Sequence, residues 1–312
     1  MDKDSASEKS TELDNQDTGT TEIDSLNTDS ILTQVSPQNT NDKPCGCGKQ
    51  SGNMPVSYSF VYVIGRIQPR FPNPSTEKEF LQVAGRAETK GLTDPEVFHS
   101  VLSQKQNRYI VKQLCWVLTI EGLETYILVP RDPSDYDLLV ESLRPTPRVT
   151  DVNVIIGIKG PMADARMCNG LIVPVIIFDQ IYSFDVDSLI KAVPRPEKIP
   201  AKQVNATIED LFGRVMQMAD NAGLTAEHRA VNFLSVRYQA IYLHTAEMFG
   251  KDYSLSAIEV YTSPLSGVRK IMDVVFVYTN RSTDVVDKFF TRVDVTEEFP
   301  FLVTKLSPYY DR

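Results

Sequence analysis

The stretch "VRKIMDVVFVYTN" (residues 268–280) decides the fold class, because it is rich in the β-branched and aromatic residues of a β-strand. The segments "LSAIEVYTSP" (255–264) and "KFFTRVDVTEEFPFLV" (288–303) on either side of it read as strands with alternating apolar and polar residues. Consecutive strands with short connections usually pair with each other in space. We therefore predict an antiparallel meander at the C-terminal end of the chain.

Two helices are predicted immediately before these strands. The segment "TIEDLFGRVMQMADNAG" (207–223) starts at Thr207, has acidic residues in its first turn and reaches Gly223, which suits a helix C-terminus. The segment 224–250 is predicted as one long helix. Its apolar stripe, which we expect to face the core, comprises Val231, Leu234, Tyr238, Ile241 and Tyr242.

The N-terminal half combines further strands with short helices. The segment "VSYSFVYVIGRIQ" (56–68) is aromatic, β-branched and alternating, and 151–160 and 171–184 are also predicted strands. The region 109–130 is predicted as a hairpin with its turn at 121–123. Helices are predicted at 75–89, 93–104 and 134–143, the first with a capping box of Thr76 and Glu79, the second with Asp94 as N-cap and Pro95 at its first position.

The proline-rich segment "AVPRPEKIPAK" (192–202) divides the folded part of the chain into two lobes. The predicted fold class is α+β, with mixed and antiparallel sheets and packed helices. We expect a disordered acidic tail at 1–43, an N-terminal α+β lobe at 44–192, and a C-terminal lobe of helices and antiparallel strands at 193–312.

The charge of the chain is concentrated in its tail. Residues 1–43 contain ten acidic and three basic residues, and they hold −7 of the net charge of −9. The tail lacks aromatic residues and cannot bury enough apolar surface to offset its ordering entropy. The nearly neutral remainder argues against nucleic acid or an anionic membrane as a partner. No apolar run reaches the length of a membrane span and no secretory signal is evident, so we expect a cytoplasmic protein.

Several familiar catalytic motifs are missing from the sequence. The chain contains three histidines, His99, His228 and His244, and it lacks HExxH, GxSxG, a P-loop and a GxGxxG that follows a strand. We interpret the histidines as surface or capped residues. The carboxylates Asp294, Glu297 and Glu298 lie close together in the sequence. They are compatible with an acid–base site, although a solvated strand end explains them more simply.

The four cysteines, Cys45, Cys47, Cys115 and Cys168, are candidate ligands of a structural zinc ion. Their number suits a tetrahedral site, and the glycines next to Cys45 and Cys47 permit the backbone conformations that a metal knuckle needs. The spacing is not that of a CxxC pair. A site that uses only some of the cysteines, and buried thiols without any metal, remain open alternatives.

Long segments of the chain resemble a known domain. The strings at 229–242, 263–281 and 288–312, together with 60–86 and the Cys-Gly-Cys-Gly opening, are similar to the C-terminal domain of unknown function of PatG/PatA-type cyanobactin maturation proteases. The resemblance covers about 45–312. It implies a role in making ribosomally synthesised cyclic peptides. The protease activity of that family does not carry over, because the chain lacks a subtilisin-like Asp/His/Ser constellation.

The resemblance and the missing motifs favour a non-catalytic accessory module. It would bind a precursor peptide or a cyanobactin pathway enzyme, for example by strand addition. One alternative is an enzyme of unrecognised class acting on the precursor peptide. Its candidate groups are Arg66, Arg70, Arg237 and Arg269, with Asp273 and Asp294. Another is an oligomerisation module, such as a homodimer formed through the aromatic-rich C-terminal end.

Overall fold

A computed structural model describes residues 59–85, 91–148, 150–194, 199–218 and 220–310. The predicted tail at 1–43, and with it Cys45 and Cys47, lies outside the described residues. The fold class is α+β, as predicted: a five-stranded mixed sheet and a four-stranded antiparallel sheet pack with helices. Among the described helices, none is long and apolar enough to cross a membrane.

Five strands of the N-terminal half close into a barrel in the order β1-β2-β3-β5-β4. Strands β3 and β5 pair in parallel, and the other neighbours are antiparallel. The hairpin between β2 and β3 turns at Glu121 and Gly122, both with positive φ, which confirms the predicted turn. The first part of the predicted hairpin was wrong, because residues 109–113 belong to a helix and the first strand starts at Cys115. The strands are β1 (Phe60–Arg70), β2 (Cys115–Ile120), β3 (Leu123–Pro130), β4 (Asp151–Met162) and β5 (Pro174–Asp185).

The C-terminal strands form a second sheet in the order β6-β7-β8-β9, which confirms the predicted antiparallel meander. The segment 288–303 was expected to be one strand, and this was wrong. It contains the end of β8, the loop 295–300 and the start of β9, because Pro300 and the side chains around it divide the run. The strands are β6 (Tyr253–Thr262), β7 (Ile271–Asn280), β8 (Val286–Asp294) and β9 (Phe301–Pro308).

Helices cover the barrel and one face of the second sheet. Helices α1 to α4 pack on the barrel, and α6 to α8 lie between the barrel and the second sheet. The helices are α1 (Pro74–Ala84), α2 (Asp94–Leu102), α3 (Arg108–Gln113), α4 (Tyr136–Ser142), α5 (Val186–Ala192), α6 (Ala201–Met216), α7 (Ala226–Arg237) and α8 (Ala240–Gly250).

Several predicted helix ends differ from the structure. Helix α1 is capped by Asn73, whose side chain accepts a hydrogen bond from the Thr76 N–H, so Thr76 and Glu79 do not form the capping box. Helix α2 is capped by Thr93, one residue before the predicted Asp94, in a capping box with Glu96. In each case a residue with an equivalent side-chain oxygen acceptor precedes the predicted cap.

Two longer helices also differ from their predictions. Helix α6 begins at Ala201 rather than at Thr207, because the residues before Thr207 continue the same buried face. The predicted long helix 224–250 is two helices that separate at Tyr238 and Gln239. The apolar stripe hid this break, since Val231, Leu234 and Ile241 are buried on both sides of it.

One large hydrophobic cluster joins the two halves of the chain. It combines Tyr62 and Ile64 of the barrel with residues of α6 to α8 and with Phe276 and Val293 of the second sheet. Alternate residues of β1, such as Val61 and Val63, belong to a second cluster with α1 to α4. The barrel therefore shares a core with the C-terminal sheet, and the division at 192/193 into separate units stays a prediction.

Candidate functional site

The two faces of the C-terminal sheet differ in what covers them. Met272, Val274 and Phe276 of β7 pack into the helix-covered core. The residues between them face the opposite side, where Val275 lies between its cross-strand neighbours Glu259 and Phe290. This second face bears the long side chains that build a surface depression.

The depression is a cavity of about 630 Å³ on the outer face of the sheet. Its wall is rich in aromatic rings and prolines, and we call it the aromatic groove. Its aromatic and proline residues are Tyr261, Pro264, Phe290, Pro308, Tyr309 and Tyr310. Such a surface offers large, rigid apolar contacts together with hydroxyl groups for hydrogen bonds.

The rings of the aromatic groove are held by contacts with the sheet. Tyr309 donates its backbone N–H to the carbonyl of Lys288 (2.8 Å), and its ring meets Phe290 edge-on with centroids 5.5 Å apart. The hydroxyl of Tyr261 donates to Glu259 (2.9 Å), which raises the pKa of Tyr261. Tyr261 is 48% exposed and Tyr310 80% exposed, so both remain available for contact.

An ion pair lies at the floor of the aromatic groove. Arg292 donates from Nε to Asp273 Oδ1 (2.9 Å) and from Nη2 to Oδ2 (3.4 Å), and its guanidinium lies over the ring of Phe290. Nearby, Lys288 pairs with Glu259 at 4.0 Å. Because each of these charges has an opposite partner, the floor is close to neutral and does not select a strongly charged ligand.

The C-terminal sheet, unlike the closed barrel, has two edge strands, β6 and β9. An edge strand presents backbone groups that can pair with an added strand. Part of the β9 edge is already used, since the Leu306 N–H donates to the Tyr238 hydroxyl (2.9 Å). Strand addition at β9 is therefore restricted to the part of the edge that Tyr238 leaves open.

The six residues predicted for an enzymatic site do not form one cluster, although two of them, Arg269 and Asp294, form an ion pair. Arg66 lines a separate cavity of about 500 Å³ at the barrel, and Arg70 pairs with Glu124 across β1 and β3. Arg237 lies over the ring of Tyr182, and Arg269 pairs with Asp294. Of the six, Asp273 alone lines the aromatic groove.

The three histidines are on three different helices. His99 is on α2, and His228 and His244 are on α7 and α8 rather than on one helix. Burial lowers the pKa of both His228 and His244, and the His244 ring packs against Phe289 with centroids 4.1 Å apart. In the described ranges there is no cluster of three or more metal-ligating side chains.

The structure places Cys115 and Cys168 together as a disulfide, with Cα atoms 5.5 Å apart. Cys115 starts β2, and Cys168 begins a turn in which three consecutive residues have positive φ. Because Cys45 and Cys47 lie outside the described residues, zinc coordination by the four cysteines stays a prediction. Zinc binding by Cys115 and Cys168 requires that both be reduced to thiolates.

The Asp294–Glu298 cluster of the sequence is divided in the structure. Asp294 is engaged by Arg269 and Thr296, whereas Glu298 faces Asp179 of β5 in the barrel. Asp179 was not among the site residues predicted from the sequence. Its signal was a lone carboxylate within the apolar run "PVIIFDQIYSF" (174–184), where an ionised residue needs a specific partner.

Comparison with protein families confirms the resemblance inferred from the sequence. A family model described as "PatG Domain" matches residues 60–236, more than half of the chain, and a second, "PatG C-terminal", matches 198–309. The chain belongs to the PatG domain family. The two PatG matches overlap over 198–236, the region that contains α6 and α7, and these helices pack between the barrel and the second sheet.

The PatG fold is also present in a solved structure, "PatG Domain of Unknown Function". That structure is 20% identical in sequence, and the match covers 80% of this chain and 98% of the other, with a TM-score of 0.66. At this identity the likeness shows the fold alone. No curated protein matches the chain.

Proposed function

We propose that this chain is a non-catalytic peptide-binding module that acts in the biosynthesis of ribosomally made, cyclised peptides of the cyanobactin type. The observation that carries the proposal is the aromatic groove on the outer face of the C-terminal sheet. Membership of the PatG family supports the pathway, and the separation of the candidate catalytic residues supports a binding role over an enzymatic one.

The aromatic groove suits an extended, uncharged peptide segment with apolar side chains. Its ion pairs neutralise each other, and its exposed tyrosines offer flat apolar surfaces with a polar tip. A precursor peptide fits this description, and so does a peptide segment of a pathway enzyme. We assign the groove to the precursor peptide, and the binding experiment distinguishes this ligand from a segment of a pathway enzyme.

The test is a titration of the purified chain against a fluorescently labelled precursor peptide, followed by anisotropy. We expect saturable binding that weakens about tenfold in the double variant Tyr261→Ala/Tyr310→Ala, since each lost aromatic contact is worth about 0.5–1.5 kcal/mol. The matched control is Tyr109→Ala, a tyrosine of similar exposure (45%) on α3. It should bind like the unaltered chain.

Four results would contradict the proposal. Equal binding by the groove variant and the control would place the peptide elsewhere. Binding only to a pathway enzyme would make the groove a protein–protein contact, and a lower mass of the groove variant in light scattering would assign it to a homodimer. Turnover of the peptide by the isolated chain would support the enzymatic alternative.

We also propose that the reduced chain binds a structural zinc ion in the cytoplasm. Cytoplasmic cysteines are normally kept as thiols. The closeness of Cys115 and Cys168 supports the idea, because folding has already brought together two of the four candidate ligands, Cys45, Cys47, Cys115 and Cys168. A metal there would link the N-terminal segment to the barrel, and its binding energy would add to the stability of the fold.

A further inference from the structure

A β-bulge of the barrel turns one carboxylate toward the C-terminal sheet. In the pairing of β4 with β5, Ile156 lies opposite Gln180 and Gly157 opposite Phe178, which leaves Asp179 as the extra residue of the bulge. Bulges redirect a side chain that regular pleating would point elsewhere. Asp179 consequently meets the loop 295–300 between β8 and β9 through Glu298.

Arg131, which follows β3, connects the two carboxyl groups. Its Nη1 lies 2.7 Å from Asp179 Oδ1, and its Nη2 lies 3.7 Å from Glu298 Oε2. The backbone N–H of Arg131 also donates to the Phe178 carbonyl (3.0 Å), so the arginine is fixed to the bulge at both ends. Both carboxyl side chains are mostly buried, Asp179 being 21% and Glu298 14% exposed.

The remaining oxygen of each carboxyl group lacks a conventional donor. Asp179 Oδ2 and Glu298 Oε1 are buried and accept no hydrogen bond from the described residues. Two ionised carboxylates in contact would repel each other and leave both atoms unsatisfied. One proton between them removes both penalties, because the protonated group donates a hydrogen bond to the ionised one.

We infer that Asp179 and Glu298 share one proton and form a pH-operated latch between the barrel and the β8–β9 loop. Burial of Glu298 raises its pKa to about 8, and the hydrogen bond and charge of Asp179 act in the same direction. Arg131 and Arg229 oppose the shift. Glu298 is thus the proton carrier at neutral pH, and Asp179 is the acceptor.

The latch acts on a loop that is also held from the helical layer. Arg229 of α7 is buried and donates to the carbonyls of Val295 (2.7 Å), Glu298 (3.1 Å) and Glu297. The charged groups around Glu298 are therefore Asp179 and Arg131 from the barrel, Arg229 from α7, and the exposed Glu297 from the loop itself. After loss of the shared proton the loop keeps the Arg229 hydrogen bonds at its centre, and at its start it keeps the hydrogen bonds of Val295 and Thr296 with Lys270.

The sign of the pH effect follows from linkage. The folded chain binds the proton of Glu298 more tightly than an unfolded chain does, where the pKa has its ordinary value of 4.5. The stabilisation is complete below that pH, declines as the pH rises, and is gone above about 8. Burial lowers the pKa of His228 and His244 below the ordinary histidine value. These two side chains therefore do not account for a change in stability near pH 8.

The test compares Tm between pH 6.5 and 9 for the unaltered chain and Glu298→Gln. The glutamine amide still donates a hydrogen bond to Asp179, but it does not ionise. As the pH rises, the variant should therefore keep its Tm, while the Tm of the unaltered chain falls by a few degrees. Above pH 8, the amide hydrogen exchange of residues 295–300 in the unaltered chain should accelerate by more than the intrinsic base-catalysed rate does. In Glu298→Gln the exchange should follow the intrinsic rate alone. Glu297→Gln, which alters the neighbouring exposed carboxylate, should behave like the unaltered chain.

A parallel pH response of the unaltered chain and Glu298→Gln would overturn the inference. Carboxyl ¹³C NMR of the glutamate-labelled, unaltered chain provides a measurement that does not depend on a variant. A glutamate signal with a midpoint near 8 supports the latch. If all glutamate signals titrate below pH 6, the shared proton does not exist.

Discussion

At the scale of single residues, buried polar side chains connect the barrel to the helices. Asn232 of α7 is fully buried and donates to the carbonyl of Tyr62 (2.9 Å) and to Asn221 Oδ1 (3.1 Å). Asn221 in turn donates to Asn232 Oδ1 (2.7 Å) and to the Val215 carbonyl. Each amide satisfies the other, so the pair places α7 on β1 without leaving an unpaired buried group.

The cysteines give the prediction that belongs to this scale. Under reducing conditions with equimolar zinc, we expect one zinc ion per chain by elemental analysis, lost in Cys115→Ser and in Cys47→Ser. Under oxidising conditions Cys115 and Cys168 form the disulfide, so the oxidised chain should hold no zinc. After denaturation, the same oxidised chain should show two reactive thiols. Full zinc occupancy in either variant would exclude that residue as a required ligand, and no zinc in the reduced chain would contradict the site.

At the scale of elements, the bulge of β5 depends on a close approach of two strands. A Cβ on Gly157 would overlap the carbonyl oxygen of Ile177 and lie 2.6 Å from the Phe178 Cα. Only glycine allows β4 to lie this close to the bulged part of β5. The conformation that directs Asp179 toward the C-terminal sheet is therefore supported from the neighbouring strand.

Glycine substitutions test this element directly. Gly157→Ala should lower the free energy of unfolding by about 1–3 kcal/mol, because the added methyl group forces the strands apart. The matched control is Gly213→Ala on α6, where no atom lies within 4 Å of an added Cβ. That substitution should stabilise the chain by about 0.5–1 kcal/mol through the better helix propensity of alanine. Urea denaturation of both variants provides the measurement, and equal stabilities would refute the role of the close approach.

At the scale of the whole molecule, the barrel and the C-terminal sheet depend on one core. The helices α6 to α8 bury one face against the barrel residues Tyr62 and Val154 and contact Phe276 and Leu255 of the sheet. Removing either sheet would expose apolar helix surface to water, at a cost of roughly 25 cal/mol for each Å². The two halves should consequently stabilise each other.

Calorimetry tests this mutual dependence. We expect a single cooperative unfolding transition for the full chain, because the shared cluster cannot be half lost without exposing both sides of it. Two separate transitions would show instead that 44–192 and 193–312 unfold as independent lobes. Comparison with Glu298→Ala under the same conditions shows whether breaking the carboxyl contact alone changes this cooperativity.

Local patterns were sufficient to predict many elements of this fold. The β-branched and aromatic residues along 268–280 identified a strand, and glycine with its neighbours at 121–123 identified a hairpin turn. Helix ends were less predictable, since Asn73 and Thr93 compete with adjacent residues that have the same capping chemistry. The break at Tyr238 was missed because a continuous apolar stripe does not reveal where the backbone leaves the helical conformation.

The sequence by itself determined the α+β class, the antiparallel C-terminal sheet and the family, because these depend on periodicities and strings that neighbouring residues carry. The tertiary structure alone decided that β4 closes the barrel onto β1, that Tyr261, Arg292 and Tyr310 line one groove, and that Asp179 meets Glu298. The physical reason is that such meetings depend on strand register, on bulges and on the packing of sheets through a shared core. Those are sums over many weak contacts between distant residues, and no local stretch of chain encodes them.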